Sequence, residues 1–176
     1  MQFSNDLLDK LLLRFKPRLA NDYEKYRNHV YRVFLNCTTL DTESANEEKY
    51  AIAAVFHDIG IWTNNTFDYL DPSIAELKEY LYEINKNEWL SEISSMIYWH
   101  HKVKAYVGEY SATVEVFRKA DWVDVSLGLL KFGIESKKIS AIKRSFPNAG
   151  FHFFLLKQTG KYWIKHPLNP IPVLKR

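Results

Sequence analysis

Five ionisable side chains stand where helical periodicity asks for core residues: His29, His57, Asp58, His100 and Asp121. His29 lies three residues after Tyr26 and four before Val33, and His57 and Asp58 follow Ala54 by three and four. His100 extends the stripe of Ile93, Met96 and Ile97, and Asp121 sits four residues from both Phe117 and Val125. Such spacings share one helix face. Taken singly, each has a plain reading: a hydrogen-bonded core histidine, a helix-end aspartate, an Asp121 paired with Arg118. Taken together they ask for more. A buried carboxylate without a partner costs several kcal/mol, and no Lys or Arg is evident on the same stripes. A divalent cation meets that need. Imidazoles and carboxylates form a donor set that suits Mn, Fe, Co, Ni, Mg or Zn.

Helices must deliver these groups, and helical periodicity runs through the chain. Ser4 opens a first helix ended by Pro17; Asn21 or Asp22 caps a second that runs to about Leu40. The third spans about Glu47 to Ile59, with Gly60 as its C-terminal stop. "IWTNNTFDYL" reads as a loop. In "DPS", Asp71 is the expected cap and Pro72 the first helical residue of a fourth helix to about Ile84. Further helices are expected over Glu88 to His101, Ser111 to Leu130 and Ser136 to Ser145. "FHFFLLKQ" fits a helix or a strand, with helix favoured by its surroundings. The proline-rich "HPLNPIPVLKR" is expected to lie extended on the surface. The fold class is therefore all-α, in a single domain over residues 1–176.

Composition narrows the function classes. A net charge of +3 is too small to argue for nucleic acid, and the basic residues after position 130 are spaced like a solvated helix face. One cysteine, Cys37, excludes an internal disulfide framework. The first residues lack the pattern of a secretory signal, and no apolar run approaches ~18 residues. The expectation is a cytoplasmic, soluble protein with no membrane span.

"NHVYRVF", "AAVFHDIG", "YWHH" and "FRKADWVD" together resemble the H…HD…D signature of the HD-domain superfamily of metal-dependent phosphohydrolases. His29 and Arg32 match its "HxxRV" element, His57 and Asp58 its naming doublet, and Asp121 its final aspartate. The likeness covers about residues 20–130, with C-terminal helices and a tail over 131–176. It implies a helical bundle with a metal site in its core, where His29, His57, Asp58 and Asp121 ligate one ion. It further implies hydrolysis of a small phosphorylated metabolite or nucleotide through a metal-activated water, which Asp58 could also orient.

Adjacent helical residues point about 100° apart, so His100 is expected inward and His101 toward the mouth. His100 could bind phosphate or donate a proton. Two-metal members of the superfamily usually carry another histidine before this pair, and residues 59–99 contain none, which favours one metal. Arg32, Lys102, Lys104 and Arg118 are candidate phosphate clamps, with Lys102 foremost. Trp62, Trp99 and Trp122 could wall a pocket. The alternatives are a di-iron oxygenase of the same superfamily and a non-catalytic sensor or binding module.

Overall fold

The computed structural model describes residues 3–165, and the expected extended tail lies outside them. Helices α1 (Asp6–Leu19), α2 (Tyr23–Leu40), α3 (Ser44–Phe56), α4 (Gly60–Thr63) and α5 (Leu70–Glu83) come first. They are followed by α6 (Leu90–Trp99), α7 (Ser111–Val125), α8 (Ser136–Ser145) and α9 (Phe151–Lys165). No strand occurs among the described residues. The fold is all-α, and α2 is its axis: α7 and α3 pack on it most extensively, and α6 closes the bundle against α7 and α3. The apolar face of α1 (Leu8, Leu11, Leu12, Phe15, Leu19) is buried on α3 and α2.

Where observed ends differ from expectation, local chemistry explains it. Asn5, not Ser4, caps α1: its side-chain oxygen accepts from the Leu8 N–H at 3.0 Å. Pro17 stands inside the last turn of α1 without ending it. The ring removes one intrahelical bond, but Leu19 beyond it is only 1% exposed and holds the turn on the core. Asp22 precedes α2 without capping it, because its carboxylate is taken by Lys25 Nζ at 2.6 Å and Trp62 Nε1 at 2.9 Å.

Gly60 is not a stop; it is the first residue of α4. A Cβ there would stand 2.4 Å from the Tyr69 carbonyl oxygen and 2.9 Å from Pro72 Cβ and Ser73 N. Its own N–H donates to Ser73 Oγ at 2.9 Å. The glycine therefore lets the start of α5 close onto the turn after α3. That helix starts at Leu70 with Tyr69 as cap residue, so Asp71 is its second residue rather than its cap and Pro72 its third rather than its first. Pro72 is tolerated because the N–H it lacks would have no intrahelical acceptor.

The sixth helix is shorter than expected: a 3-10 turn over Asn87–Trp89 precedes it, and His100 and His101 fall just past its end. The seventh ends at Val125, not Leu130. Gly128 N–H donates to Val123 O at 2.8 Å and Leu127 N–H to Asp124 O at 2.9 Å, with Leu127 at φ 56°. This 6→1 and 5→2 pair terminates a helix with a left-handed residue. The ambiguous "FHFFLLKQ" lies in α9. No described helix is long and apolar enough to cross a membrane.

Candidate metal centre

Four segments converge on one buried point. Helix α2 supplies His29, the turn after α3 supplies His57 and Asp58, the end of α6 supplies His100 and His101, and α7 supplies Asp121. His29, His57 and His100 are fully buried, Asp58 and Asp121 nearly so, and the His101 side chain keeps 22% of its surface. His100 is thus enclosed, while His101 keeps partial exposure.

His29 Nε2 lies 2.9 Å from His57 Nε2 and 3.7 Å from both Asp58 Oδ2 and Asp121 Oδ1. His57 Nε2 stands 3.4 Å from Asp58 Oδ2 and 3.9 Å from Asp121 Oδ1. Neighbouring donors about 2.0–2.2 Å from a shared ion stand roughly 3–3.6 Å apart, so this spacing is close to that of a coordination sphere.

The tautomers are set from outside. His29 Nδ1–H donates to Asp124 Oδ2 at 2.7 Å, His57 Nδ1–H to the Ala54 carbonyl at 2.9 Å, and His100 Nδ1–H to the Ile97 carbonyl. In each neutral ring the proton therefore sits on Nδ1, and the Nε2 lone pair faces the cluster. Two such lone pairs 2.9 Å apart repel unless a positive charge lies between or beside them. His100 Nε2 and Asp58 Oδ1, 3.5 Å apart and buried, have no hydrogen-bond partner. Orphaned donor atoms around facing lone pairs fit a divalent cation.

Without an ion, protons carry part of that role. Burial opposes charge on His57, yet Asp58 and then Asp121 outweigh it and hold the imidazole up at about 9. Burial takes His29 the other way, to about 4, against the pull of Asp124. The Asp121 carboxyl is pushed up to about 7 by burial, which His100 and His57 only partly offset. Asp58 stays well below the usual carboxylate range: burial opposes this, but His57 and His100 prevail. Burial and then His100 press His101 well below the ordinary imidazole value.

Asp58 has two sides. Its Oδ2 faces His29 and His57, while its Oδ1 faces His100. The donor atoms of Asp58, His100 and His101 lie within 4.8 Å of one another, as do those of His29, His57 and Asp58. His101 Nδ1 is 3.9 Å from Asp121 Oδ2, and its Nε2 is hydrogen-bonded to the Tyr69 hydroxyl.

Two residues expected as clamps, Arg32 and Arg118, are engaged by protein groups. Arg32 is 2% exposed, and its guanidinium grips both oxygens of Asp124 and the carbonyls of Phe146 and Pro147 at 3.1 Å. It is also the cation missing from the sequence reading, three residues past His29, but it neutralises Asp124 rather than the ligand cluster. Arg118 does not pair with Asp121: its Nε and Nη2 bind Glu115 at 2.7 and 2.8 Å, and Nη1 donates to the Lys102 carbonyl at 3.1 Å. Lys102 is half-buried, with burial lowering its ammonium pKa and Nζ 6.0 Å from the centre of the Tyr98 ring. Lys104 is exposed. Trp99 packs edge-on against Tyr106, Trp122 donates to the Lys102 carbonyl, and Trp62 stacks on Phe154.

Asp124 and Tyr69 were missed. Asp124 carried a readable signal, since it lies three residues past Asp121 on the same face, and a ligating histidine needs a partner for its second nitrogen. Tyr69 carried none.

The family model of the HD domain matches residues 26–126. Among curated proteins and among solved structures, none matches the chain.

Proposed function

This chain belongs to the HD-domain family, which generally marks metal-dependent hydrolases, and we propose that it hydrolyses a small phosphate ester, a monoester or a diester. The observation that carries this reading is the inward lone pair on each of three buried imidazoles, held by fixed Nδ1 donors beside an unsatisfied Asp58 oxygen. His29, His57, Asp58 and Asp121 are the residues that would hold a divalent ion. When bound, such an ion supplies Lewis-acid chemistry, acidifying water and polarising a phosphoryl oxygen.

The chain's own groups do the rest. Asp124 keeps the His29 proton on Nδ1, so Nε2 remains a donor of electrons toward the ion. Asp58 Oδ1, unpartnered and aimed away from His29 and His57, accepts a hydrogen from water and orients it. His100 contacts the phosphoryl group or gives a proton to the departing oxygen. His101, with Tyr69 bonded to its Nε2, lines the edge of the cluster, and Lys102 at the rim offsets the phosphate charge.

A screen of the chain with added Mn²⁺, Co²⁺, Ni²⁺, Zn²⁺ or Mg²⁺ against nucleotides, cyclic nucleotides and aryl phosphates tests the reading. Phosphate release that requires metal and disappears in Asp58→Ala supports it. Activity that survives Asp58→Ala places the chemistry elsewhere.

A further inference from the structure

Residues 127–145 carry five cations, Lys131, Lys137, Lys138, Lys143 and Arg144, against one acid, Glu135. Their net charge exceeds the +3 of the whole chain, and all five cations are exposed. Beside them stand the exposed apolar side chains of Leu127, Leu129, Leu130 and Phe132, with Leu129 84% exposed. We propose that the turn after α7 and the outer face of α8 form a docking surface for an anionic phospholipid bilayer, which they touch from one side without spanning it.

The turn is built to hold its leucines outward. A single exposed leucine needs no explanation, but a contiguous apolar group rimmed by charge marks an interaction site. Val123, Ile134 and Ile139 form a small core beneath the turn. Gly128 lies against that core, where a Cβ would stand 3.0 Å from Ile139 Cγ2. Leu127 at φ 56° and Phe132 at φ 47° take left-handed backbone that bulky side chains rarely adopt. Backbone held in this way costs stability and marks a shape fixed by its surroundings. The Leu129 N–H donates to the Ser126 carbonyl at 3.1 Å, and the Leu130 N–H to Ser126 Oγ at 3.0 Å. Amides satisfied inside the turn can enter a poorly hydrated headgroup layer without losing a partner.

The cations flank this apolar tip. Lys143 Nζ donates to the Leu127 carbonyl at 3.2 Å, and Lys131 Nζ to Ser136 Oγ at 2.8 Å, which fixes two ammonium groups beside the leucines. Ile139 and Ile142 turn α8 toward the core and leave Lys137 and Arg144 together on its opposite face. None of the five cations forms an ion pair among the described residues. Inserted apolar groups and a basic patch are two weak membrane signals that together give stable attachment. A second copy fits less well, because a self-complementary contact would set these cations against the same cations. Single-stranded nucleic acid stacks its bases on planar side chains, and the leucines at this tip have none.

Co-sedimentation of the full chain with phosphatidylcholine vesicles, with and without phosphatidylserine, reads this surface independently of the metal centre. The chain should pellet with the mixed vesicles and stay in solution with phosphatidylcholine alone. Lys137→Gln combined with Arg144→Gln should weaken binding by about tenfold or more. Leu129→Ser combined with Leu130→Ser should weaken it by about tenfold. Both pairs alter only exposed side chains, and an unchanged Tm confirms the fold; if one pair lowers Tm, the other carries the test. A chain that stays in solution with the mixed vesicles overturns the proposal. So does binding that depends on the cations but not on the leucines, which is adsorption by charge alone. A leucine pair that lowers the molecular mass in solution overturns it in favour of a second copy, and tighter binding to DNA than to the mixed vesicles overturns it in favour of nucleic acid.

Discussion

His29 and His57 hold their Nε2 atoms 2.9 Å apart in the core, each with its Nδ1 proton pinned to an acceptor on the far side of the ring. Only a proton or a metal ion reconciles that arrangement, and the two compete. In the metal-free chain His57 is held at about 9 against an ordinary 6.5, so its protonation stabilises the fold fully below 6.5 and that contribution is lost as pH rises through 9. Asp121, raised to about 7 from 3.8, acts with the same sign at lower pH. His29, lowered to about 4, costs stability as pH falls from 6.5 towards 4 and adds no slope above 6.5. Metal-free Tm should therefore fall from pH 6.5 to 9, and the Tm increment from saturating Mn²⁺ should grow over that range. Metal affinity should gain up to about tenfold per pH unit while one proton is displaced. Differential scanning fluorimetry with and without Mn²⁺ checks this; an increment that shrinks with pH contradicts it.

Arg32 and Asp124 separate a structural role from a substrate-binding one. The pair is buried and bidentate, with Asp124 also anchoring His29. Removing one member of a buried pair costs about 3–5 kcal/mol. Arg32→Gln should lower Tm strongly while leaving KM for a phosphate ester unchanged at temperatures where the variant is folded. Asp124→Asn should weaken metal binding by about 10–100-fold through the misdirected His29 ring. A large rise in KM for Arg32→Gln without loss of stability would return Arg32 to the phosphate.

These cases show what the sequence made legible. His29, His57, Asp58, His100 and Asp121 were readable because a period of 3.6 residues places each on an apolar stripe, and burial of charge then demands a counter-charge. Arg32 obeys the same period, but its partner lies 92 residues away on α7, and sequence spacing says nothing about which carboxylate it meets. Gly60 and Leu127 mislead for a related reason. A glycine after a helix usually ends it, yet here the glycine admits the next helix, while a leucine takes the left-handed turn. The α9 segment was ambiguous because a short apolar run has no distinctive period.

The close approach at Gly60 gives a third expectation. A methyl group added there meets the Tyr69 carbonyl at 2.4 Å, a backbone atom that cannot move aside alone. Gly60→Ala should destabilise the chain by about 1–3 kcal/mol through overpacking. Because Tyr69 also bonds His101, the same change should lower turnover more than metal affinity. Tm, metal titration and kcat on one preparation separate the effects. Unchanged stability would mean that α5 is free to shift away from the turn.

Metal stoichiometry follows from the two sides of Asp58. The first side meets two imidazoles whose Nδ1 protons are fixed, with Asp121 Oδ1 3.7 and 3.9 Å from their Nε2 atoms. The second meets His100 and His101, but His101 already bonds Tyr69, and residues 59–99 offer no further histidine. A site with fewer uncommitted donors binds more weakly. One ion per chain should remain after desalting, and a second should enter only at excess metal. His100→Ala should keep the tight ion and lose turnover, whereas His57→Ala should lose both. Elemental analysis of the desalted wild type and the two variants decides this. Two tightly held irons accompanied by oxygen uptake would instead place the chain with di-iron oxygenases, since a carboxylate bridging two equally firm sites is what that chemistry needs.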